Sequence, residues 1–319
     1  MKNIAILHEE LERPEKELEQ YLLGRDGIIV KRFDIRATAF KDIMEFNPTI
    51  VLNRVYASVA NRNWKMIKHS LQLIKKLEKK GILVLNSFNA TKADYSKYRA
   101  YTLMKSASIR TPKTIRHTPY ISLSNAVRRL GGYPIIVKRD SGGRGIGLAK
   151  CSSRTETEKA IGNILKSDDY KGDIVLQEFI EPIEPRDYRV CVVDNEVIYY
   201  HGRGLISLDT SEKPWIASRS LGSKILPVKK EVPKDLKDFA VRAARSVGAI
   251  FDVLDVIKTE EGYCVIEHNP TPSFVFKQDY QDVLGYDPIT YVVDKILGIH
   301  EGSMDKESIA DSGSVMGTN

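Results

Sequence analysis

Tyr263-Cys-Val-Ile-Glu-His-Asn-Pro270 is a short apolar run, Tyr263 to Ile266, that continues into Glu267, His268 and Asn269 and is closed by a proline. Side chains two apart on a β-strand point to the same face. Glu267 and Asn269 therefore project together from the strand's end, and His268 turns to the opposite face as a packing residue. A carboxylate and an amide carbonyl are hard oxygen donors, which suit Mg²⁺ better than a soft metal. Upstream, Phe251-Asp-Val-Leu-Asp-Val-Ile257 is a second strand-like run whose apolar pattern is broken by Asp255. Pairing the two runs as a hairpin across Thr259-Glu-Glu-Gly262 sets Asp255 beside Glu267. A magnesium site holding nucleotide phosphates is one reading of this stretch. Two half-buried strands with solvated acids is the other.

The chain of 319 residues has room for two domains at roughly 150 residues each. With 42% hydrophobic residues it can bury a core. Mean hydropathy is −0.29, and no apolar run approaches the ~18–20 residues that cross a bilayer. The start, Met1 to Leu7 followed by His8-Glu-Glu10, lacks the longer apolar region of a signal peptide. Cys151, Cys191 and Cys264 are widely spaced in apolar surroundings, which gives neither a disulfide framework nor a zinc pattern. A cytoplasmic protein with no membrane partner is expected. The net charge of +7 invites a nucleic-acid reading. However, the lysines of Lys65–Lys80 lie on the polar side of an amphipathic helix, so a solvated face is expected and nucleic acid is not. An acidic small molecule or acidic polypeptide fits the charge balance equally well.

Segments 2–7, 28–33, 48–53 and 81–86 read as strands, with helices at 10–23 and 64–80 between them. Such alternation indicates a parallel α/β layer. No glycine-rich turn follows the first strand, so a Rossmann dinucleotide site is disfavoured. Ligands of open α/β sheets sit beyond the carboxyl ends of the strands. Asn53, Arg54 and Asn86 occupy such ends and are candidates to face a substrate, with capping or turn roles as the alternative for the asparagines.

The strongest local chemistry follows a helix read over 91–108. Tyr133-Pro-Ile-Ile-Val-Lys138 is a strand. Arg-Asp-Ser-Gly-Gly-Arg-Gly-Ile-Gly147 is a glycine-rich turn, and a strand leaves it towards Cys151. A Walker loop would open a helix and end in Gly-Lys-Ser/Thr, which is absent. A strand, glycine loop and strand instead form a flap whose backbone N–H groups can lie over phosphates. Gly142, Gly143, Gly145 and Gly147 permit that close approach, and Lys138 at the strand's end can neutralise phosphate charge. An ordinary glycine-rich hairpin with Lys138 and Arg144 in solvent is the alternative. Beyond it, 173–180 reads as a buried strand ending in Gln177-Glu-Phe-Ile180. Asp187 to Val193 turns at Asp194-Asn195 into Glu196 to Tyr200, with Arg203 just after. Lys234 to Val247 and Asp287 to Leu297 read as helices.

Ile136-Val-Lys138 with its glycine loop, Leu176-Gln-Glu-Phe-Ile180, Asp187-x-Arg189, and Asp255 with Glu267-x-Asn269 follow one another in an order and spacing that resembles the ATP-grasp superfamily. The likeness is to ligases of the RimK-like, ribosomal-protein glutamate ligase group and to the glutathione synthetase group, over roughly residues 86–298. The resemblance implies an α/β (α+β) fold, with an N-terminal parallel α/β domain before a two-part ATP-grasp module that holds the nucleotide between two sheets. The expected units are 1–88, a lid subdomain over 89–180 and a C-terminal subdomain with the Mg²⁺ site over 181–300; the Ser/Asp/Gly-rich composition beyond His300 reads as a disordered tail over 301–319.

The resemblance further implies that ATP phosphorylates a carboxylate and that an amine then attacks the acylphosphate, giving an amide, ADP and phosphate. Lys97 and Lys138 would touch the ATP phosphates under the flap of Ser141, Gly142, Gly143, Arg144, Gly145, Ile146 and Gly147. Gln177, Glu178, Phe179 and Ile180 would line the adenine pocket, and Asp187 would hold the ribose. Asp255, Glu267 and Asn269 would ligate one or two Mg²⁺ ions, with Mn²⁺ able to substitute. Arg189 and Arg203 would stabilise charge on the transferring phosphoryl group and the tetrahedral intermediate; surface salt bridges are the alternative for both. Asn53, Arg54, Arg219 and Ser273 are the substrate candidates. The chain departs from the family at Ala217-Ser-Arg-Ser-Leu-Gly222, where an asparagine and a basic-glycine pair are commoner, and at Pro270-Thr-Pro-Ser273, where Pro-Gly is commoner. Both departures concern substrate choice. The expected partners are an amino acid such as glutamate and an amine, peptide or acidic carrier-protein acceptor, in a homo-oligomer (dimer or tetramer). A small-molecule kinase and an inactive nucleotide-binding regulatory protein are the alternative functions.

Overall fold

The computed structural model describes residues 1–208, 212–273 and 277–311. Its first layer is a parallel sheet of β1 (Lys2–His8), β2 (Ile28–Asp34), β3 (Ile50–Asn53) and β4 (Leu83–Leu85), ordered β2-β1-β3-β4. The crossovers carry α1 (Arg13–Leu23), α2 (Phe40–Glu45) and α3 (Trp64–Glu78). Both faces of the sheet are covered, so β1 and β3 are near-continuous apolar runs. Ala5, Leu7 and Val51 pack under α2 and α3, whereas Ile4, Ile6, Ile50 and Leu52 pack towards the C-terminal sheet.

Two helices follow, α4 (Phe88–Asp94) and α5 (Lys97–Ser106), where the sequence suggests one. The break has a physical cause. A helix start leaves N–H groups without intrahelical partners. Here Ser96 Oγ accepts from Arg99 N–H at 3.1 Å, while the Asp140 carbonyl and carboxylate take the N–H groups of Lys97 and Tyr98 at 3.0 and 2.8 Å. Asp140 opens the glycine loop, so the loop itself starts α5 and sets Lys97 at its first turn.

The second layer is an antiparallel sheet of β5 (Thr114–Arg116), β6 (Ile135–Arg139), β7 (Ala149–Cys151) and β8 (Ile174–Glu178), ordered β5-β8-β6-β7. Helices α6 (Leu123–Leu130) and α7 (Arg154–Leu165) cover one face with a core of their own, which includes Leu130, Ile135, Val137, Ile161 and Leu176. The third layer contains β9 (Arg186–Val193), β10 (Glu196–Gly204), β11 (Ile225–Leu226), β12 (Phe251–Thr259) and β13 (Gly262–Asn269), ordered β11-β10-β9-β12-β13. Helix α8 (Lys234–Ser246) packs on one face with Val190, Leu254 and Val265. The other face begins as apolar core, with Cys191, Val193, Phe251 and Val253 against the first sheet and α10 (Pro288–Asp311), and α9 (Lys277–Leu284) adds Tyr280 there.

The fold is the mixed α/β arrangement expected. Helix α10 carries on to Asp311, past the boundary at 301 drawn from composition, and 312–319 lie outside the described residues. Among the described residues no helix is long and apolar enough to cross a membrane. All three cysteines are buried and free.

Candidate active site

Along the inner face of the third sheet, apolar residues give way to charge within one strand length. Strand register does this directly. Arg203 of β10 lies opposite Asp187 of β9, Arg189 of β9 opposite Asp255 of β12, and Asp255 opposite Glu267 of β13. The expected hairpin is present, with Thr259 across from Gly262. Arg203 grips Asp187 with Nε and Nη2, and its Nη2 reaches Asp255 Oδ2 at 2.8 Å. Arg189 Nη1 donates to Asp255 Oδ1 at 3.0 Å. Burial works against the Arg203 guanidinium, but Asp187 and Asp255 hold it charged. The surface-salt-bridge alternative fails for Arg203, which is 4% exposed.

Two lysines face this row from the other side. Lys97 Nζ lies 3.2 Å from Glu267 Oε1 and donates to the Gly142 carbonyl at 3.0 Å, so it ties the sheet to the flap. Lys138 is buried at the end of β6. Burial, then the neighbouring Lys97, bring its pKa down to about 8, against the pull of Glu267 and Asp140. Burial alone would push the Glu267 carboxyl up; Lys97 and Lys138 outweigh that and hold it below its usual range.

These groups close one end of a cavity of about 670 Å³ between the second and third sheets, a size typical of small-molecule sites. The opposite end is apolar, walled by Pro112, Ile136, Leu205, Trp215, Ile257 and Ile266. Gln177, Glu178, Phe179 and Ile180 line that end, and the Phe179 ring meets Trp215 edge-on at 6.3 Å. The flap residues Gly142 to Ile146 form the roof. Arg144 there pairs with Glu12 of the first domain at 2.7 Å. Arg219 and Ser273 also line the cavity, with Arg219 held by Asp279 at 3.0 Å.

A family model for the RimK-like ATP-grasp domain matches residues 94–283. The chain belongs to the RimK-like ATP-grasp family. It is similar to a probable alpha-L-glutamate ligase 2 of Shewanella amazonensis, 24% identical over 247 residues, which is 77% of this chain and 76% of that protein. A probable alpha-L-glutamate ligase of Vibrio vulnificus is 27% identical over 202 residues, 63% of each chain. In three dimensions the fold is that of the D-alanine–D-alanine ligase of Bacillus anthracis complexed with ATP. The TM-score is 0.67 at 12% identity, covering 96% of this chain and 100% of that one.

Against that ATP-grasp frame, five expected residues fall outside the cavity, among them Asn86, which is buried with its Nδ2 donating to the Phe251 and Pro270 carbonyls. Ser141 is buried, and its N–H donates to the Tyr170 hydroxyl. Gly147 has φ +73° and lies against Arg139, 3.1 Å from where a Cβ would sit, so it makes room for a side chain rather than a phosphate. Asn53 is buried, and its Oδ1 accepts from the Val55 N–H. Arg54 is enclosed beside Glu15. Asn53 ends β3 and Arg54 follows it, at the sheet's carboxyl side as the strand-end rule expects, and the Pro272 carbonyl meets Arg54 there.

Among the described residues no three His, Cys, Asp or Glu side chains gather as a metal site. The oxygen set is instead mixed: Asp255 and Glu267 in register, with Asn269 on the same face of β13. Asn269 Nδ2 donates to the Val253 carbonyl at 3.0 Å, which leaves Oδ1 as the amide's acceptor. Two carboxylates and an amide oxygen fit a hard cation. His268 faces away, as expected, and pairs with Asp252 at 3.3 Å. Burial lowers its pKa, but Asp252 overrides this and raises it to about 9. Asp94 and Trp215 line the cavity and Asp140, outside it, starts the helix that carries Lys97; sequence reasoning missed all three. Only Asp140 left a signal: a serine at position 96 inside a presumed helix marks a possible new cap.

Proposed function

We propose that this ATP-grasp protein is an ATP-dependent carboxylate–amine ligase that joins an acidic amino acid, such as glutamate, to an amine or peptide acceptor in the cytoplasm. The observation that carries the proposal is the in-register row of Arg203, Asp187, Arg189, Asp255 and Glu267, faced by Lys97 and Lys138 at the charged end of a cavity whose other end is apolar. That polarity suits a nucleotide, with its base in the apolar end and its phosphates among the cations. The relatives' names, both glutamate ligases, support the substrate class.

Phosphoryl transfer is mainly positioning and charge neutralisation, so cations do more here than an acid–base pair. An oxygen of the substrate carboxylate attacks the γ-phosphorus, ADP leaves, and the amine then attacks the acyl carbon and expels phosphate. Lys97 and Lys138 neutralise the phosphate oxygens, and the N–H groups of Gly142 to Gly145 cover them. Arg189 and Arg203 face the charge that develops on the phosphoryl group and on the tetrahedral intermediate. Lys97 pairs with Glu267, and Arg189 and Arg203 pair with Asp255. A bound polyphosphate would offer these cations other partners, and the Asp255 and Glu267 carboxylates with Asn269 Oδ1 would hold Mg²⁺. The metal, when bound, supplies a Lewis acid that offsets the charge of the transferring group.

Incubating the protein with ATP, Mg²⁺ and a panel of amino acids and amines tests the proposal. ADP and phosphate should form only when acid and amine are both present, with an amide in the mass spectrum. A phosphorylated acceptor without amide would indicate a kinase, and intact ATP across the panel would refute the assignment.

A further inference from the structure

Asn269-Pro-Thr-Pro-Ser273 leaves the proposed metal strand and runs along the cavity, where Thr271, Pro272 and Ser273 form part of the wall. Its two prolines have no N–H, so at those positions the carbonyl is the backbone's only hydrogen-bonding group. Side chains from elsewhere grip the segment at Asn269, Pro270 and Pro272. Asp252 Oδ1 accepts the Asn269 N–H at 2.8 Å. Asn86 Nδ2 donates to the Pro270 carbonyl at 3.0 Å. Arg54 Nη2 donates to the Pro272 carbonyl at 2.6 Å.

The Arg54 contact is the most elaborate of the three. A buried guanidinium is tolerated only when its charge and its N–H groups are matched. Arg54, whose side chain is 2% exposed, lies 3.5 Å from the fully buried Glu15. Its Nη2 also donates to the Tyr56 hydroxyl at 3.0 Å, and that hydroxyl is in turn bonded to Glu15. Tyr56 turns its ring to the cavity wall while its hydroxyl is held in this network. A lysine could keep the charge beside Glu15, but its single ammonium cannot reproduce the planar fork that spans Glu15, Tyr56 and Pro272.

We propose that Arg54 is a positioning residue: by holding the Pro272 carbonyl it fixes Thr271 to Ser273 as the wall against which the amino-acid substrate lies. Arg54 thus sets substrate fit without touching the substrate. This rests on the ligase reading above. It also gives physical content to a departure in the chain, since a Pro-Thr-Pro segment, unlike a glycine turn, cannot bond through its own N–H groups at both prolines and takes its hold from outside.

Arg54→Lys tests the proposal with two readouts. Hydrogen–deuterium exchange of the peptide spanning 269–273 should be about tenfold faster in the variant, with the peptide spanning 142–147 unchanged. The KM for the amino acid should rise about tenfold, because small displacements at a substrate wall are costly, while the KM for ATP stays within about twofold. If Arg54→Lys does not fold, Arg54→Met with Glu15→Gln removes both buried charges and is read the same way. A folded variant with wild-type loop exchange, or with amino-acid and ATP KM values rising together, overturns the proposal. A wild-type protein that forms no amide with any substrate refutes the ligase reading instead, and the exchange readout still decides whether Arg54 holds the loop.

Discussion

Replacing Lys138 with methionine should make the fold more stable and the protein unable to hold ATP. Lys138 is enclosed at the end of β6, and burial with Lys97 beside it lowers its pKa from 10.5 to about 8. The charged form is therefore disfavoured in the folded state. At ~1.4 kcal/mol per pKa unit, that shift corresponds to roughly 3 kcal/mol of strain. The sign follows from proton binding. Between pH 8 and 10.5 the unfolded chain binds the proton and the folded chain does not, so folded stability rises with pH across that window. Below about pH 8 the full cost is present. Methionine keeps the stem and removes the charge, so at pH 7 Lys138→Met should resist urea better by roughly 3 kcal/mol, and the gap should close as pH rises towards 10. Isothermal titration with ADP and Mg²⁺ should show affinity lost by more than about a hundredfold, which is ~2.7 kcal/mol. In the wild type, kcat/KM for ATP should fall as pH climbs through about 8. A Lys138→Met protein that is less stable than wild type, or that keeps its nucleotide affinity, would refute the reasoning.

The other substitutions follow from the same contacts. Glu267→Gln should lower kcat by roughly a thousandfold or more, several kcal/mol of transition-state stabilisation, and weaken Mn²⁺ binding measured by electron paramagnetic resonance with ADP present; near-normal values in both would remove Glu267 from the site. Asp255→Asn should also cost stability, on the order of 3 kcal/mol in urea unfolding, because Arg189 and Arg203 both lean on its carboxylate. Gly142 has φ +131°, and an added Cβ would meet Asn61 Oδ1 at 2.9 Å. Gly142→Ala should therefore raise the KM for ATP, with about 1–3 kcal/mol lost from folding, and a Gly142→Ala enzyme with normal ATP kinetics would show that the flap does not need this conformation.

Much of this molecule is legible from local pattern. Alternating apolar runs with β-period polarity give β12 and β13, and once they pair, Asp255 must lie by Glu267. Glycine density gives the flap, and helix–strand alternation gives the first layer. What stays hidden depends on contacts far apart in sequence. Ser96 and Asp140 divide a helix that looks continuous, because the cap comes from 44 residues away. Arg54 reads as a strand-end ligand residue because the segment that covers it lies 218 residues downstream. Ser141 and Gly147 share the flap's composition yet serve its packing, a distinction set by Tyr170 and Arg139. That Lys97 pairs with Glu267, and that Arg189 and Arg203 share Asp255, has no sequence signature at all.

The acylphosphate route is tested most directly by the fate of oxygen. With the acid substrate labelled with oxygen-18 in its carboxyl group, phosphorylation followed by amine attack leaves the bridging oxygen on phosphate. One labelled oxygen per amide should therefore appear in the inorganic phosphate, with ADP as the other product. Unlabelled phosphate, or label carried away in AMP, would contradict the mechanism drawn from this site.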